Sequence, residues 1–227
     1  MTESSPPLVE RSFTLIELLV VVATISILAA LAVPVFNSTV ESAKATKDMS
    51  NLRQLGLALQ TYLNDKDQIL PASAIWPGTT TTPMLYQKYI ATRRVFQSPF
   101  DRRPPAETDT APVSYSINTN MYAKLGTNPN MLKVVSPSST FLMAPNYPNA
   151  SGDPAKIASW GTSNTTNAPD LPVGGMGETT GTHNNGRQIT VLFCDWHTES
   201  VSFGPGTGTF QDSTSDPLGK KHWDPTQ

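Results

Sequence analysis

The sequence predicts an α+β protein, with one long N-terminal helix packed on a small antiparallel sheet inside a loop-rich head. Half of that helix has the composition of a transmembrane segment and half is amphipathic. Three observations predict this. Residues 13–36 are almost continuously apolar, residues 49–63 repeat apolar side chains every three or four positions, and strand-like runs are scattered through a Pro-, Gly-, Ser-, Thr- and Asn-rich second half. A chain of 227 residues has room for one domain plus a helical stalk, or at most two small domains.

Residues 1–12, MTESSPPLVERS, are polar and contain a single basic residue, Arg11. From Leu18 to Val33 only Thr24 and Ser26 are polar, and both hydroxyls can bond back to the helix. With its flanks the run reaches the roughly 20 apolar residues that span a hydrocarbon core of about 30 Å. A soluble helix of this kind would need protein on every side, and the remaining chain is too small and too polar to supply it. A cleavable secretory signal is the alternative, with a loose small-x-small site near Ala29 to Ala32. Against it stand the nearly uncharged leader, the acid at Glu17 and the helical pattern that continues downstream.

That continuation carries Met49, Leu52, Leu55, Leu59, Tyr62 and Leu63 on one face, with Asn51, Arg53, Gln54, Gln60 and Thr61 between them. Gly56 lowers helix propensity by roughly 1 kcal/mol but permits close packing on its side. The pattern stops at Asn64-Asp65-Lys66-Asp67, and Pro71 prevents a simple restart. One helix is therefore expected over 13–63, with 13–36 as its membrane part; at about 1.5 Å per residue it is roughly 75 Å long. Pro34 removes a backbone donor inside it, so a kink or local melting is expected there. Arg11 lies before the span and Lys44 and Lys47 after it, so the charge rule for orientation is indecisive.

The head is expected over 64–203. Met84–Ile90 suggests a short helix, and the stretch from Arg93 to Pro105 a loop with four arginines and one acid, Asp101. Val113–Ile117 and Ser139–Met143 read as strands. Residues 148–187 read as a long surface excursion. Gln188–Cys194 is the strongest strand, followed by a turn at Asp195-Trp196-His197 and an antiparallel partner from Thr198 to Phe203. Residues 204–227 read as a polar, poorly ordered tail.

Net charge is −2 with few charged residues, so there is no basic field to recruit nucleic acid. Cys194 is the sole cysteine, which excludes an intramolecular disulfide and a multi-thiolate zinc site and suits a small buried hydrophobe. His183, Asp195 and His197 are the candidates for a metal site, but only nearness in sequence links them. Neither a G-x-S-x-G elbow nor an H-E-x-x-H helix is present, so no enzyme activity and no cofactor are expected. Trp76, Trp160, Trp196 and Trp223 suit packing, or else a ligand-binding surface.

Glu17 is the residue of greatest interest. An acid at the centre of a membrane helix costs about 2.5–3.5 kcal/mol, less near its end, and a leucine would insert more readily. An acid here implies a partner.

Residues 12–34, SFTLIELLVVVATISILAALAVP, resemble the prepilin signal of type IV pilins and type II secretion pseudopilins. The resemblance implies that a prepilin peptidase cuts between Ser12 and Phe13 on the cytoplasmic side, removing residues 1–12 as a leader, and then N-methylates Phe13. Ser12 stands where glycine is usual. It also implies that Glu17 pairs with the new amine of a neighbouring copy and sets axial register. The other implied partners are further copies of the chain and related subunits, an inner-membrane platform protein and an assembly ATPase. The precursor would be single-pass in the cytoplasmic membrane, with its head in the periplasm or outside the cell. The head resembles a bacterial pilin-like group that carries a His, about nine residues, then Asp-Gly. Here His183 precedes Asp195-Trp196, two residues farther on and with Trp for Gly. Phe96–Asp101, with Ser98 where that group often has Cys, and Ser114–Asn118 are similar to two of its other segments. Pilus and secretion pseudopilus remain open, as does the soluble periplasmic or adhesin-like alternative.

Overall fold

The structure, a computed structural model, describes residues 14–70, 85, 88–101, 104–105, 113–118, 120–145, 181–204, 209–210 and 217–227. Ser12, Phe13, Trp76, Met84, Trp160 and most of the expected surface excursion lie outside these. The chain divides into two units, one running to Val40 and the other from Glu41 onward.

Helix α1, Leu15–Asn64, matches the predicted long helix. Its backbone is helical through position 34, so the local melting expected at that proline does not occur. The helix ends where Asp67 and Gln68 adopt left-handed φ values of 53° and 62°. There the amides of Lys66 and Gln68 both donate to the Leu63 carbonyl, a termination that satisfies the last turn.

In the second unit, α1 is followed by a short 3-10 helix at Arg93–Phe96, β1 at Tyr115–Ile117, α2 at Asn120–Leu125 and a 3-10 turn at Met131–Lys133. Strands β2 (Phe141–Pro145), β3 (Gln188–Phe193) and β4 (Thr198–Ser202) and helix α3 (Pro217–Trp223) complete the order. The four strands form one antiparallel sheet in the order β1-β2-β3-β4. The strongest predicted strand pairs with its expected antiparallel partner, with Gln188 opposite Ser202 and Leu192 opposite Thr198. Two local readings change. Among the described residues of 84–90 there is a single turn closed by Tyr89 and Ile90 amides on the Leu85 carbonyl, and the arginine-rich loop opens with helical turn.

Alternation along β3 sends side chains to two cores. Leu192 joins the face where Leu52, Leu55, Leu59 and Leu63 of α1 meet Tyr115, Ile117 and Met143. Ile189, Val191 and Phe193 point the other way, with Phe141 and Ala144, and are covered by Phe203, Phe210 and Trp223. The tail after residue 203 is expected to be polar and poorly ordered, but among its described residues Phe210 and Trp223 belong to this second core. Phe210 and Trp223 are almost fully buried, and the Trp223 indole donates to the Phe210 carbonyl at 3.2 Å. A sheet packed on one face by a helix needs cover on the other, and two aromatics in a polar stretch provide it.

Gly56 faces Leu192 of β3 and Trp196 at close range. A Cβ there would stand 3.2 and 3.3 Å from the two Leu192 methyls and 3.8 Å from the Trp196 ring. Gly56→Ala is therefore expected to be near neutral, its helix gain of roughly 1 kcal/mol offset by crowding of Leu192. Gly56→Leu should destabilise by about 1–3 kcal/mol as it wedges α1 from β3. Denaturant unfolding of the three proteins in detergent checks both.

Candidate functional site

The N-terminus of α1 is closed by a reciprocal pair. The Thr14 amide donates to Glu17 Oε2 at 2.9 Å, the Thr14 hydroxyl donates to the same oxygen at 2.6 Å, and the Glu17 amide donates to the Thr14 hydroxyl oxygen at 3.3 Å. This is a capping box, Thr-x-x-Glu, and it places the carboxylate where the helix dipole favours negative charge. The pattern was visible in the sequence, and it gives Glu17 a local partner that inspection of the apolar run alone misses. Downstream, Thr24 and Ser26 donate to the carbonyls of Val21 and Val22, which satisfies the only polar side chains between Leu18 and Val33.

Every described side chain from Thr14 to Val40 is exposed, including Leu15 at 82% and Phe36 at 69%. An 18-residue window of this helix has a mean hydropathy of 2.7, long and apolar enough to cross a membrane. Continuous apolar surface of this extent requires a cover of lipid or protein.

In the second unit the histidine and aspartate candidates separate. His183 is buried, with Nδ1 3.0 Å from the Thr182 hydroxyl and Nε2 2.6 Å from the Ser200 hydroxyl, and its ring stacks on Phe100. It is held by a turn in which Asn184, Asn185 and Gly186 have φ of 53°, 55° and 74°, values that Asn and Gly tolerate. The Asn185 amide donates to Glu41 of α1 at 3.3 Å. Asp195 and His197 lie instead at the turn between β3 and β4, 2.5 Å apart through Oδ1 and Nδ1, with the His197 ring stacked on Phe193. Both ring nitrogens of His183 are engaged, and among the described residues no three His, Cys, Asp or Glu side chains gather. The geometry suits turn-building rather than ligation.

Between these lies Trp196, with φ of 76°. The position explains why the resembling group has glycine here, because a positive φ costs a residue with a Cβ. The tryptophan ring packs against the α1 core instead. Cys194 is buried, and burial pushes its thiol well above the usual range, as suits a hydrophobe rather than a nucleophile.

Burial lowers the pKa of His183 below its ordinary 6.5, although Glu41 opposes the shift. A depressed folded pKa means stability that is present above 6.5 and is lost as pH falls toward the folded value. Acidification from pH 7 to pH 5 should therefore weaken this turn, and His183→Gln should abolish that component of the pH profile. Paired unfolding curves across that range test it.

No family model matches the chain, and no solved structure matches it. Among curated proteins it is similar to the type IV major pilin protein PilA of Myxococcus xanthus (strain DK1622), with 43% identity over 58 residues, covering 26% of each chain. It is also similar to two type IV major fimbrial proteins FimA of Dichelobacter nodosus. One is 34% identical over 70 residues, covering 31% of this chain and 45% of the relative; the other is 41% identical over 56 residues, covering 25% and 36%. The matches thus span about a quarter to under half of the length of these relatives. They fall on the N-terminal region, where Thr14, Glu17 and the exposed apolar helix lie, and over that region the chain is similar to type IV pilins.

Proposed function

We propose that this chain is a structural subunit of a type IV pilus-like filament, made as a single-pass precursor in the cytoplasmic membrane and assembled through α1. The observation that carries the reading is the exposed apolar helix from Leu15 to Phe36, in a region similar to major pilins. Before assembly lipid covers that surface, and afterwards the same helices of sister subunits do, so it never faces water. The named relatives are pilins, which favours the pilus over the secretion pseudopilus.

A prepilin peptidase would cut between Ser12 and Phe13, leaving an amine that is then methylated. Glu17 answers it. Its Oε2 is taken by Thr14, whereas Oε1 carries no hydrogen bond among the described residues and can receive the amine of a neighbour. The capping box would hold the carboxylate in one orientation, so the charge pair sets register in an otherwise apolar and register-indifferent bundle. An assembly ATPase and a membrane platform protein would drive extraction from the bilayer. A kink at Pro34 would ease the sliding of neighbouring helices.

Mass spectrometry of the mature N-terminus is the primary test: N-methylated Phe13 is expected. A protein trimmed near Ala32 and soluble in the periplasm would replace this reading with the secretory-signal one. Glu17→Leu should be cut and inserted yet fail to form filaments; normal filaments would remove Glu17 from its role. Thr14→Ala should weaken the cap by about 1 kcal/mol and reduce assembly less than Glu17→Leu does.

A further inference from the structure

We propose that Asp48 is a proton-operated latch between α1 and the sheet, closed when its carboxyl is neutral and loosened when it ionises. Asp48 is fully buried on the sheet-facing side of α1. The Tyr115 hydroxyl from β1 and the Ser98 hydroxyl from the loop after Phe96 donate to its Oδ1 at 2.6 and 2.7 Å. Thr190 of β3 lies beside the same carboxyl. Helix, loop and two strands therefore converge on one side chain.

Three polar atoms of this cluster make no hydrogen bond. Asp48 Oδ2, Asn51 Oδ1 and Thr190 Oγ1 are buried and without hydrogen-bond partners, while Asn51 Nδ2 is committed to Tyr115 and to the Gln97 carbonyl. With Oδ2 protonated, the buried carboxyl carries no charge and can itself donate. Ionisation instead leaves a buried charge without a cation, which is far costlier than a buried neutral acid.

The surrounding charges do not change this. Lys47 of α1, Arg94 of the 3-10 helix and Asp101 line a surface pocket with Asn51 and Ser98, and Asp48 is not in its wall. Asp101 accepts the Ser114 hydroxyl at 2.7 Å. From β1 the facing titratable group is Tyr115, whose ionisation is pushed well above 10, and β3 presents only the Thr190 hydroxyl. Burial accordingly raises Asp48 from 3.8 to about 6, against the lowering effect of the three hydroxyls. A raised folded pKa means stability fully present below 3.8 and lost as pH rises through about 6. This is opposite in sign to the effect at His183. The latch is a property of the second unit alone and does not depend on the filament reading.

The test compares unfolding of the detergent-solubilised full chain with that of Asp48→Asn at pH 4–7.5. The substituted amide is neutral at every pH and donates where the proton would sit. Relative to the variant, the wild-type unfolding constant should rise about tenfold per pH unit from about pH 4 to 6, then level roughly a hundredfold higher. Parallel pH profiles would overturn the proposal. Should Asp48→Asn fail to fold, carbon-13 NMR of the labelled wild-type carboxyl decides: a midpoint near 6 supports the latch, and one at or below 4 refutes it.

Discussion

The four leucines at positions 52, 55, 59 and 63 of α1 are all fully buried, and the second unit is built around that stripe. Each is worth about 1.5–3 kcal/mol of burial, and together they give the sheet a surface to fold against. The spacing of three and four keeps them on one side of the helix, and Gly56 brings that side close enough for Leu192 to fill the space. Once one face of the sheet is covered in this way, the strand period of two leaves Ile189, Val191 and Phe193 on the other. The chain must return to cover them, which is what Phe203, Phe210 and Trp223 do.

The same physics has a different outcome earlier in α1. From Leu15 to Phe36 the helix is apolar nearly all round, and its described side chains remain exposed. Cover for that surface has to come from outside the chain, whether lipid or sister helices, and the similarity to pilins falls on this region. Its polar exceptions are dealt with locally: Thr24 and Ser26 by carbonyls of the preceding turn, Glu17 by the amide and hydroxyl of Thr14. A carboxylate held in this way is fixed at the helix end through one of its two oxygens.

Polar groups inside the helix–sheet interface follow a stricter rule. Asp48, one turn before Leu52, and Asn51, next to it, are buried with the leucine stripe, so their oxygens must find donors within the protein. Tyr115 and Ser98 supply two for a carboxyl with room for more. Position along the helix therefore separates two acids of the same element: Glu17 is exposed and capped, whereas Asp48 is enclosed by three other segments.

Periodicity and composition by themselves determined the long helix, its division into an all-apolar and an amphipathic part, the β3–β4 hairpin, the close approach at Gly56 and the buried character of Cys194. These are local properties: apolar spacing, turn residues and strand alternation act within a few residues of one another. Even the capping box at Thr14 and Glu17 was legible, though obscured by the apolar run around it. Tertiary structure alone decided that Phe210 and Trp223 are core residues, because nothing in their polar surroundings indicates which sheet face needs cover. It also decided that Asp48 is buried, since an aspartate in a polar helical stretch has the same sequence signature in solvent or under a sheet. Finally, it separated His183 from Asp195 and His197, because distance along the chain does not reveal which ring is locked over Ser200 and which lies at a turn. Burial depends on what folds over a residue from distant parts of the chain, and that is why these features required the assembled structure.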